Sequence, residues 1–464
     1  MKRIISLALL LSFTSVNIIP AFAADDIKVS NTPKQFKSMV KKDKKISDDY
    51  KFSYINMEWW SNFNDETLQN YIERAVLNNY DLKMATLSVS EYYQNVKINF
   101  ANELPQATVA GGYGLTKMPN MTNTSGVFGL PMLVSYEADI FLKNRDKTKS
   151  AKKLYEGSKL DERAAYIAIA SAVGTVYLNI ANLDKIIALQ EDIVALRQEI
   201  YDLMLIRNKE GLTSTADTVK ANKSLVAGQT NLIELKKQRQ KLLNQLCILI
   251  GESPENSDSL TRKSIDDIDF ALSIPAEIPS EIIVQRPDYM KAELMVEKAG
   301  IDVRVARKEF LPSINIGGLA LWNASNLGSL FNTKDMLLGL GGGLILPLFT
   351  GGKRIANLKL KKATYERILQ NYYKTNLTAI QEINDAMVAS KLDKEKMEQT
   401  LAQYNLEKSD YDYSEKKYNQ GTISRLDLIQ YQENLKNIEK LVAQQKTECM
   451  ADAISLYKAT GSKY

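Results

Sequence analysis

Residues 166–204 read YIAIASAVGTVYLNIANLDKIIALQEDIVALRQEIYDLM. Positions alternately three and four apart select Tyr166, Ile169, Val173, Val176, Ile180, Leu183, Ile187, Gln190, Val194, Arg197, Tyr201 and Met204. Only Gln190 and Arg197 break this apolar and aromatic stripe, no proline falls within it, and its one glycine, Gly174, lies off the stripe. That is the spacing of a heptad seam, which holds one face of a helix against partner helices. The helical tract around it starts near Lys143 and runs to Asn208, roughly 100 Å at ~1.5 Å per residue. Globular helices seldom reach a quarter of that, so the pattern calls for a coiled-coil-like assembly of very long helices.

Composition narrows the setting. A chain of 464 residues has room for two or three compact domains or for one elongated body. A hydrophobic share of 45% and a mean hydropathy of -0.25 describe neither a disordered chain nor a polytopic helical membrane protein. There is no histidine, which removes the commonest general base and metal ligand. Cys247 and Cys449 sit on helical stretches among apolar residues and read as buried free thiols, with a bond between them or a reactive use as the alternative.

The N-terminus carries a targeting signal. Lys2 and Arg3 precede an apolar run from Ile4 to Ile19, and Ala21, Phe22 and Ala23 supply a small-residue cleavage site. Residues 1–23 therefore read as a secretory signal peptide, with Ala24 opening the mature chain. No cysteine follows to take a lipid. Losing Lys2 and Arg3 takes two from a formal charge of +5, which leaves too little to argue for nucleic acid. Residues 24–55 read as an extended lead-in, where Lys41, Lys42, Lys44 and Lys45 are interleaved with Asp43, Asp48 and Asp49.

From 56 to 250 the chain reads as one unit. Trp59, Trp60 and Phe63 are expected to pack the segment onto the long helices, and Asn64 or Asp65 to cap the helix that follows. Asn78 and Asn79 mark a turn, and a second helical piece runs from Asp81 to Glu103, stopped by Leu104 and Pro105. The period then drops to two. Met132, Val134, Tyr136, Ala138 and Ile140 point one way, and Leu133, Ser135, Glu137 and Asp139 the other. With a glycine- and alanine-rich partner over 106–116 and a polar loop from Lys117 to Leu130, residues 106–141 form a β-hairpin. Its strands have the length and the alternation of a membrane-spanning β-barrel with a wet lumen. The long helix occupies 143–208, and a returning helix 215–249. Residues 251–276, rich in Asn, Ser, Asp, Pro and Glu, read as a linker.

The second half, 277–461, repeats the first. Asp288 follows Asp81 by 207 positions and Pro312 follows Pro105 by 207; Arg354 follows Arg145 by 209; Gly421, Asp427 and Gly461 follow Gly211, Asp217 and Gly251 by 210. Each copy reads helix, β-hairpin (313–348 in the second), very long helix (353–420), turn, returning helix (423–460). Each copy supplies two strands, so one chain supplies four. Four strands cannot close a membrane barrel, and lipid does not tolerate an open edge. Three chains give twelve strands, and gather their helices into a hollow cylinder of ~100 Å on the periplasmic side.

These features resemble the outer-membrane efflux family, the TolC-like channel proteins, over roughly residues 55–461. The matching pieces are Trp60, Phe63, Asp65 and Leu68; Asp81 and Leu82; Leu104 and Pro105; Tyr136 to Phe141; Gln285, Arg286, Pro287 and Asp288; Leu311 and Pro312; and Leu346, Pro347, Leu348, Phe349, Gly351, Gly352 and Arg354. The front motif and the Gln285–Asp288 motif are similar to those of the branch serving RND-type pumps, which commonly carries the lipidated N-terminal cysteine missing here.

The resemblance implies a homotrimer in the outer membrane of a Gram-negative bacterium: a twelve-stranded β-barrel continued by a long periplasmic α-helical barrel. It implies a periplasmic adaptor and an inner-membrane transporter of RND type as partners, outer-membrane lipid around the barrel, no nucleic acid and no cofactor. It implies that adaptor tips dock beside the turns Gly211, Leu212, Thr213, Ser214 and Gly421, Thr422, Ile423, Ser424. It also implies a periplasmic gate at Arg425, Asp427 and Gln430, where Arg425 pairs with a carboxylate on a neighbouring helix, with Tyr411, Tyr413 and Tyr418 adding hydrogen bonds. Pro347, Gly351 and Gly352 mark the strand-to-helix corner at the membrane boundary, and Trp322 an interfacial anchor.

The function that follows is a passive exit duct for drugs or other small molecules delivered by a pump. A duct for type I protein secretion, a periplasmic coiled-coil adaptor or rod, and a secreted enzyme using Glu137 and Asp139 are the alternatives. The rod has no use for two alternating hairpins of spanning length. The enzyme lacks a nucleophile–base set, and its two carboxylates suit a hydrated lumen. Gly339, Gly341, Gly342 and Gly343 look like a phosphate loop but lack the following Lys-Ser/Thr, so they read as strand glycines.

Overall fold

In the computed structural model the described residues are 59–116, 125–268, 270, 280–324, 326, 328, 330–332 and 336–461. The expected signal peptide and lead-in lie outside them. Seven α-helices and five strands are described: α1 Glu66–Asn78, α2 Tyr80–Ala101, β1 Gln106–Val109, β2 Gly112–Thr116, β3 Ser125–Ala138, α3 Lys143–Lys209, α4 Thr215–Leu249, α5 Pro287–Lys308, β4 Ser313–Ala324, β5 Met336–Ile345, α6 Lys353–Asn419 and α7 Arg425–Ala459. The repeat is visible in the lengths. α2 and α5 have 22 residues each, α3 and α6 67 each, and α4 and α7 35 each. The described chain gathers into two units, one of 89–158 with 292–371 and one of the remainder, and α3 and α6 contribute to both.

The unit that holds 159–291 and 372–461 carries the hydrophobic core. Val173, Ile180 and Tyr177 of α3 are fully buried there with Leu246 of α4, Phe63 and Ile72. Trp59 stacks on Tyr457 of α7 at 5.7 Å between ring centroids, so the aromatic entry segment packs onto the long helices. Gly174, off the stripe, has its own reason: a Cβ there would sit 2.7 Å from the Trp59 ring. Asp65 caps α1 by accepting from the Thr67 and Leu68 backbone N–H groups, while its other oxygen accepts from the Tyr177 hydroxyl at 2.6 Å. That bond and burial push the Tyr177 phenol above its ordinary range, burial contributing most.

Both polar interruptions of the stripe are satisfied. Gln190, 3% exposed, donates to the Gly228 carbonyl at 3.1 Å and accepts from Asn231 and from Lys440. Arg197 donates to Glu433 of α7 and to the Ser224 carbonyl of α4 at 3.0 Å. Each break is thus a polar layer that fixes α4 and α7 in register on α3, because a one-turn slip would strand buried donors.

The stretch expected as a linker, 251–276, is a strap over its described part. Leu260, Ile265 and Ile268 are buried in the core, Tyr71 donates to the Thr261 carbonyl at 2.7 Å, and Arg262 pairs with Asp184 of α3. Its polar composition conceals three apolar anchors spaced along the chain.

The two copies close their last helix in the same way. Asn79 donates its side-chain amide to the Leu249 carbonyl at the end of α4 (2.9 Å), and Arg286, 207 positions on, donates to the Ala459 carbonyl at the end of α7 (2.6 Å). Arg286 is almost fully buried and also pairs with Asp288 and Glu382, so the Gln285–Asp288 motif is a helix-end clamp.

The other unit holds the sheet, antiparallel in the order β1, β3, β4, β5, with β2 also paired to β3. Two expectations need correction here. The loop expected from Lys117 to Leu130 is strand from Ser125 onward, with Gly126 opposite Leu115; residues 117–124 lie outside those described. The expected strand 106–116 is interrupted at Ala110 and Gly111. Val109 pairs with Met132 and Gly112 with Gly129, so the register is continuous, but the break lies opposite Pro131, which has no N–H to give. Ala110 still donates to the Pro131 carbonyl at 3.0 Å.

The register sorts the two faces. Tyr113, Met132, Val134, Ile316, Trp322, Leu338 and Leu340 fall on one face, which is apolar throughout. The opposite face holds Thr108, Ser135, Glu137, Asn315, Gly341 and Gly343, with a few leucines. The four glycines of 339–343 lie inside β5, far from any strand-to-helix switch.

Candidate functional site

Three places gather the functional candidates: two helical turns, the first turn of α7, and the corner between β5 and α6. The helical turns are near copies. Gly211 and Gly421 both have φ +71°, the left-handed region that glycine enters without strain. Leu212 N–H reaches the Arg207 carbonyl and Thr422 N–H the Lys417 carbonyl, each across a full turn, and each glycine N–H bonds three residues back, so both long helices end in the same Schellman closure. Ser214 and Ser424 then cap α4 and α7. Each hydroxyl accepts from the backbone N–H of Asp217 or Asp427 and donates to that residue's carboxylate at 2.7 Å. A Cβ placed on either glycine would meet nothing within 4 Å, so both turns present open surface, with Leu212 69% exposed beside Thr213.

Asp427 is therefore occupied. The Ser424 hydroxyl and backbone N–H hold its carboxyl below the usual carboxylate range, and Ser214 does the same for Asp217. Gln430, on the same exposed face three residues on, donates to Asn434 at 3.2 Å.

Arg425 has the expected carboxylate partner. Its Nε and Nη2 donate to the two oxygens of Glu199 on α3 at 2.6 and 2.9 Å, and its guanidinium lies 5.9 Å from the Tyr418 ring centre. The hydrogen bonds from Arg425 hold the Glu199 carboxyl below its ordinary range. Tyr411 accepts from Gln432 of α7 at 3.2 Å and donates to Glu415, while the Tyr413 ring receives Lys417 at 4.4 Å.

Three more contacts continue the line: Arg197 with Glu433, Lys436 with Asp192 at 3.0 Å, and Lys440 with Gln190. Sequence reading did not find this ladder, although Gln190 and Arg197 announced two of its rungs. At an offset of 210 the first copy has Thr215 and Lys223 where α7 has Arg425 and Glu433, so α4 carries no such series of residues.

At the corner, Pro347 precedes Gly351 (φ +57°) and Gly352 (φ +80°), and α6 starts at Lys353. Glu137 and Asp139 stand near it but are not a free carboxylate pair. Glu137 accepts from Lys143 at 2.6 Å, and Asp139 caps α3 by accepting from the Lys143 and Arg145 backbone. The cysteines are free thiols; Cys247 is buried and Cys449 half-buried.

The family described as outer membrane efflux protein matches residues 71–252 and again 278–462. The probable efflux pump outer membrane protein TtgC of Pseudomonas putida is 26% identical over 413 residues, covering 87% of this chain and 84% of that protein. The cation efflux system protein CusC of Escherichia coli is 25% identical over 423 residues, covering 88% of this chain and 89% of that protein. The crystal structure of the Campylobacter jejuni CmeC outer membrane channel superposes with a TM-score of 0.79 at 25% identity, covering 89% of each chain.

Proposed function

The chain belongs to the outer membrane efflux protein family and is an export channel rather than an enzyme; on that premise we propose that three copies form the exit duct of a tripartite pump. The observation that carries this reading is the sheet. It is apolar over one entire face, small and polar over much of the other, and among the described residues its edges at β1–β2 and at β5 are unpaired. Lipid demands that those edges be paired, and further copies of the same sheet, four strands when β1 and β2 count as one interrupted strand, pair them while keeping the apolar face outward. Three copies close twelve strands around a lumen lined by glycines, Ser135 and Asn315, with Trp322 at the lipid boundary.

The long helices α3 and α6 then carry the duct into the periplasm, where their turns at 211–214 and 421–424 receive a periplasmic adaptor. The adaptor links the duct to an inner-membrane transporter of RND type. The matching relatives are named for pump efflux and cation efflux, and small molecules of that kind are the cargo proposed here. The gate is the first turn of α7. Arg425 on Glu199 holds that turn against α3, and the rings of Asp427 and Gln430 from three copies face the opening between them. The duct does no chemistry, and cargo recognition belongs to the pump.

Cell fractionation and a transport assay test this reading together. The chain is expected in outer membranes that resist a salt wash, and it restores dye efflux to cells lacking their own channel when its adaptor and transporter are supplied. Release with the periplasmic contents, or full efflux without the chain, overturns it.

A further inference from the structure

A half-open cavity of about 850 Å³ lies under the β5–α6 corner, bounded by the ends of β3, α5 and β5 and by the start of α6. Most of its charged groups are already engaged. Glu137 is taken by Lys143 and Asn144, Glu309 accepts from Asn357 at 2.9 Å, and Asp139 is spent on the backbone of α3. Lys308 is committed to Asp146 and the Leu142 carbonyl. Lys353 and Arg354 remain, both lining the cavity and neither with an ion pair among the described residues. Arg354 is half-buried, and its Nη1 is sealed from solvent with no acceptor. A shielded guanidinium N–H without an acceptor points to an anion that completes it.

The surroundings say what kind of anion. Leu348 and Phe349 follow the cavity's Pro347 and are 89% and 90% exposed, and Ile140 on the cavity wall is 62% exposed. A free inorganic anion has no use for such a border, whereas a molecule with an anionic head and hydrocarbon tails matches both parts at once. The corner is also where the sheet ends, which in the proposed function is the periplasmic rim of the membrane.

We propose that this cavity binds the phosphate of a membrane glycerophospholipid, with Arg354 and Lys353 on the phosphate and the acyl chains lying along Leu348 and Phe349. The site rests on the membrane-spanning reading of the sheet and adds to it a fixed lipid at each corner of the assembly.

Native mass spectrometry of the full-length protein in mild detergent tests it, with phosphatidylglycerol, diacylglycerol of the same chains and inorganic phosphate as separate probes. Phosphatidylglycerol is expected to remain bound, diacylglycerol and phosphate to be lost. Arg354→Gln with Lys353→Gln should lower phosphatidylglycerol occupancy at least tenfold at unchanged assembly mass. Equal occupancy in the variant overturns the site, and so does diacylglycerol held as well as phosphatidylglycerol. Inorganic phosphate held equally well overturns the lipid as its source. If the double variant fails to assemble, Lys353→Gln alone decides, at an exposed position: a loss of several-fold supports the site and no change removes it. The same spectra give the assembly mass, so an intact trimer without lipid sinks this proposal alone, and a monomer sinks the duct.

Discussion

Arg425 and Glu199 meet as a two-pronged ion pair, 2.6 and 2.9 Å, that ties the first turn of α7 to α3. Both side chains are about one-third exposed, so such a pair is worth up to about 1 kcal/mol per copy. In the proposed three-copy gate such pairs would together bias the closed state by roughly 3 kcal/mol, on the order of a hundredfold in the open fraction. Arg425→Ala should raise the resting conductance of single channels in a planar bilayer, and Glu199→Ala should match it. The double variant should add little, because either change removes the whole pair. Resting conductance unchanged in both single variants takes the pair out of the gate.

Asp427 and Asp217 make the same capping box, which gives an internal control. Asp427→Asn and Asp217→Asn should lower thermal stability to the same small extent. Only Asp427→Asn should also reduce cation preference and block by multivalent cations, and Gln430→Asp should increase both. Identical channel behaviour for the two Asn variants would leave Asp427 a helix cap and nothing more.

Gly211 and Gly421 need φ +71° but have open space where a side chain would go. Asparagine tolerates that backbone, so Gly211→Asn and Gly421→Asn should keep export near normal. Gly211→Trp and Gly421→Trp fill the surface beside the turns and should abolish export while the protein stays assembled in the outer membrane. Export surviving both Trp changes with the adaptor still bound places docking elsewhere.

Asp452 of α7 is pushed up to about 7, chiefly by burial and then by the Asp393 carboxylate it hydrogen-bonds on α6. A carboxyl raised in the folded state favours folding when protonated. Its contribution is complete below the unfolded value of about 4 and disappears as pH rises through about 7. Thermal unfolding should therefore occur at a higher temperature near pH 5 than near pH 8 by a margin that Asp452→Asn removes. An unchanged margin in that variant assigns the slope to other groups.

The long helices were legible because their apolar pattern is periodic over many turns, and the first hairpin because Met132 to Ala138 alternate with Leu133 as the one exception. The repeat was legible from glycines at 211, 421, 251 and 461, each of which takes a positive φ where a helix ends. What remained hidden depends on partners distant in sequence. Gln190 and Arg197 showed as flaws in the stripe, yet nothing local names Gly228, Lys440 or Glu433 as their partners. Leu260, Ile265 and Ile268 were lost in a stretch whose average composition is polar. Pro131 is a signal visible in the sequence: with no N–H to give, it removes one of the two bonds of its cross-strand pair, and the first strand breaks opposite it. Arg286 stood out as part of a motif, but its task at the end of α7 becomes visible only when the second copy is set beside Asn79 in the first.

With β1 and β2 as one interrupted strand, the sheet is proposed to be a third of a closed barrel. Mass measurement of the detergent-solubilised protein, with bound detergent subtracted, tests it most directly. One species at three times the chain mass is the expected result, and a stable monomer or an assembly of two or four chains would contradict the account.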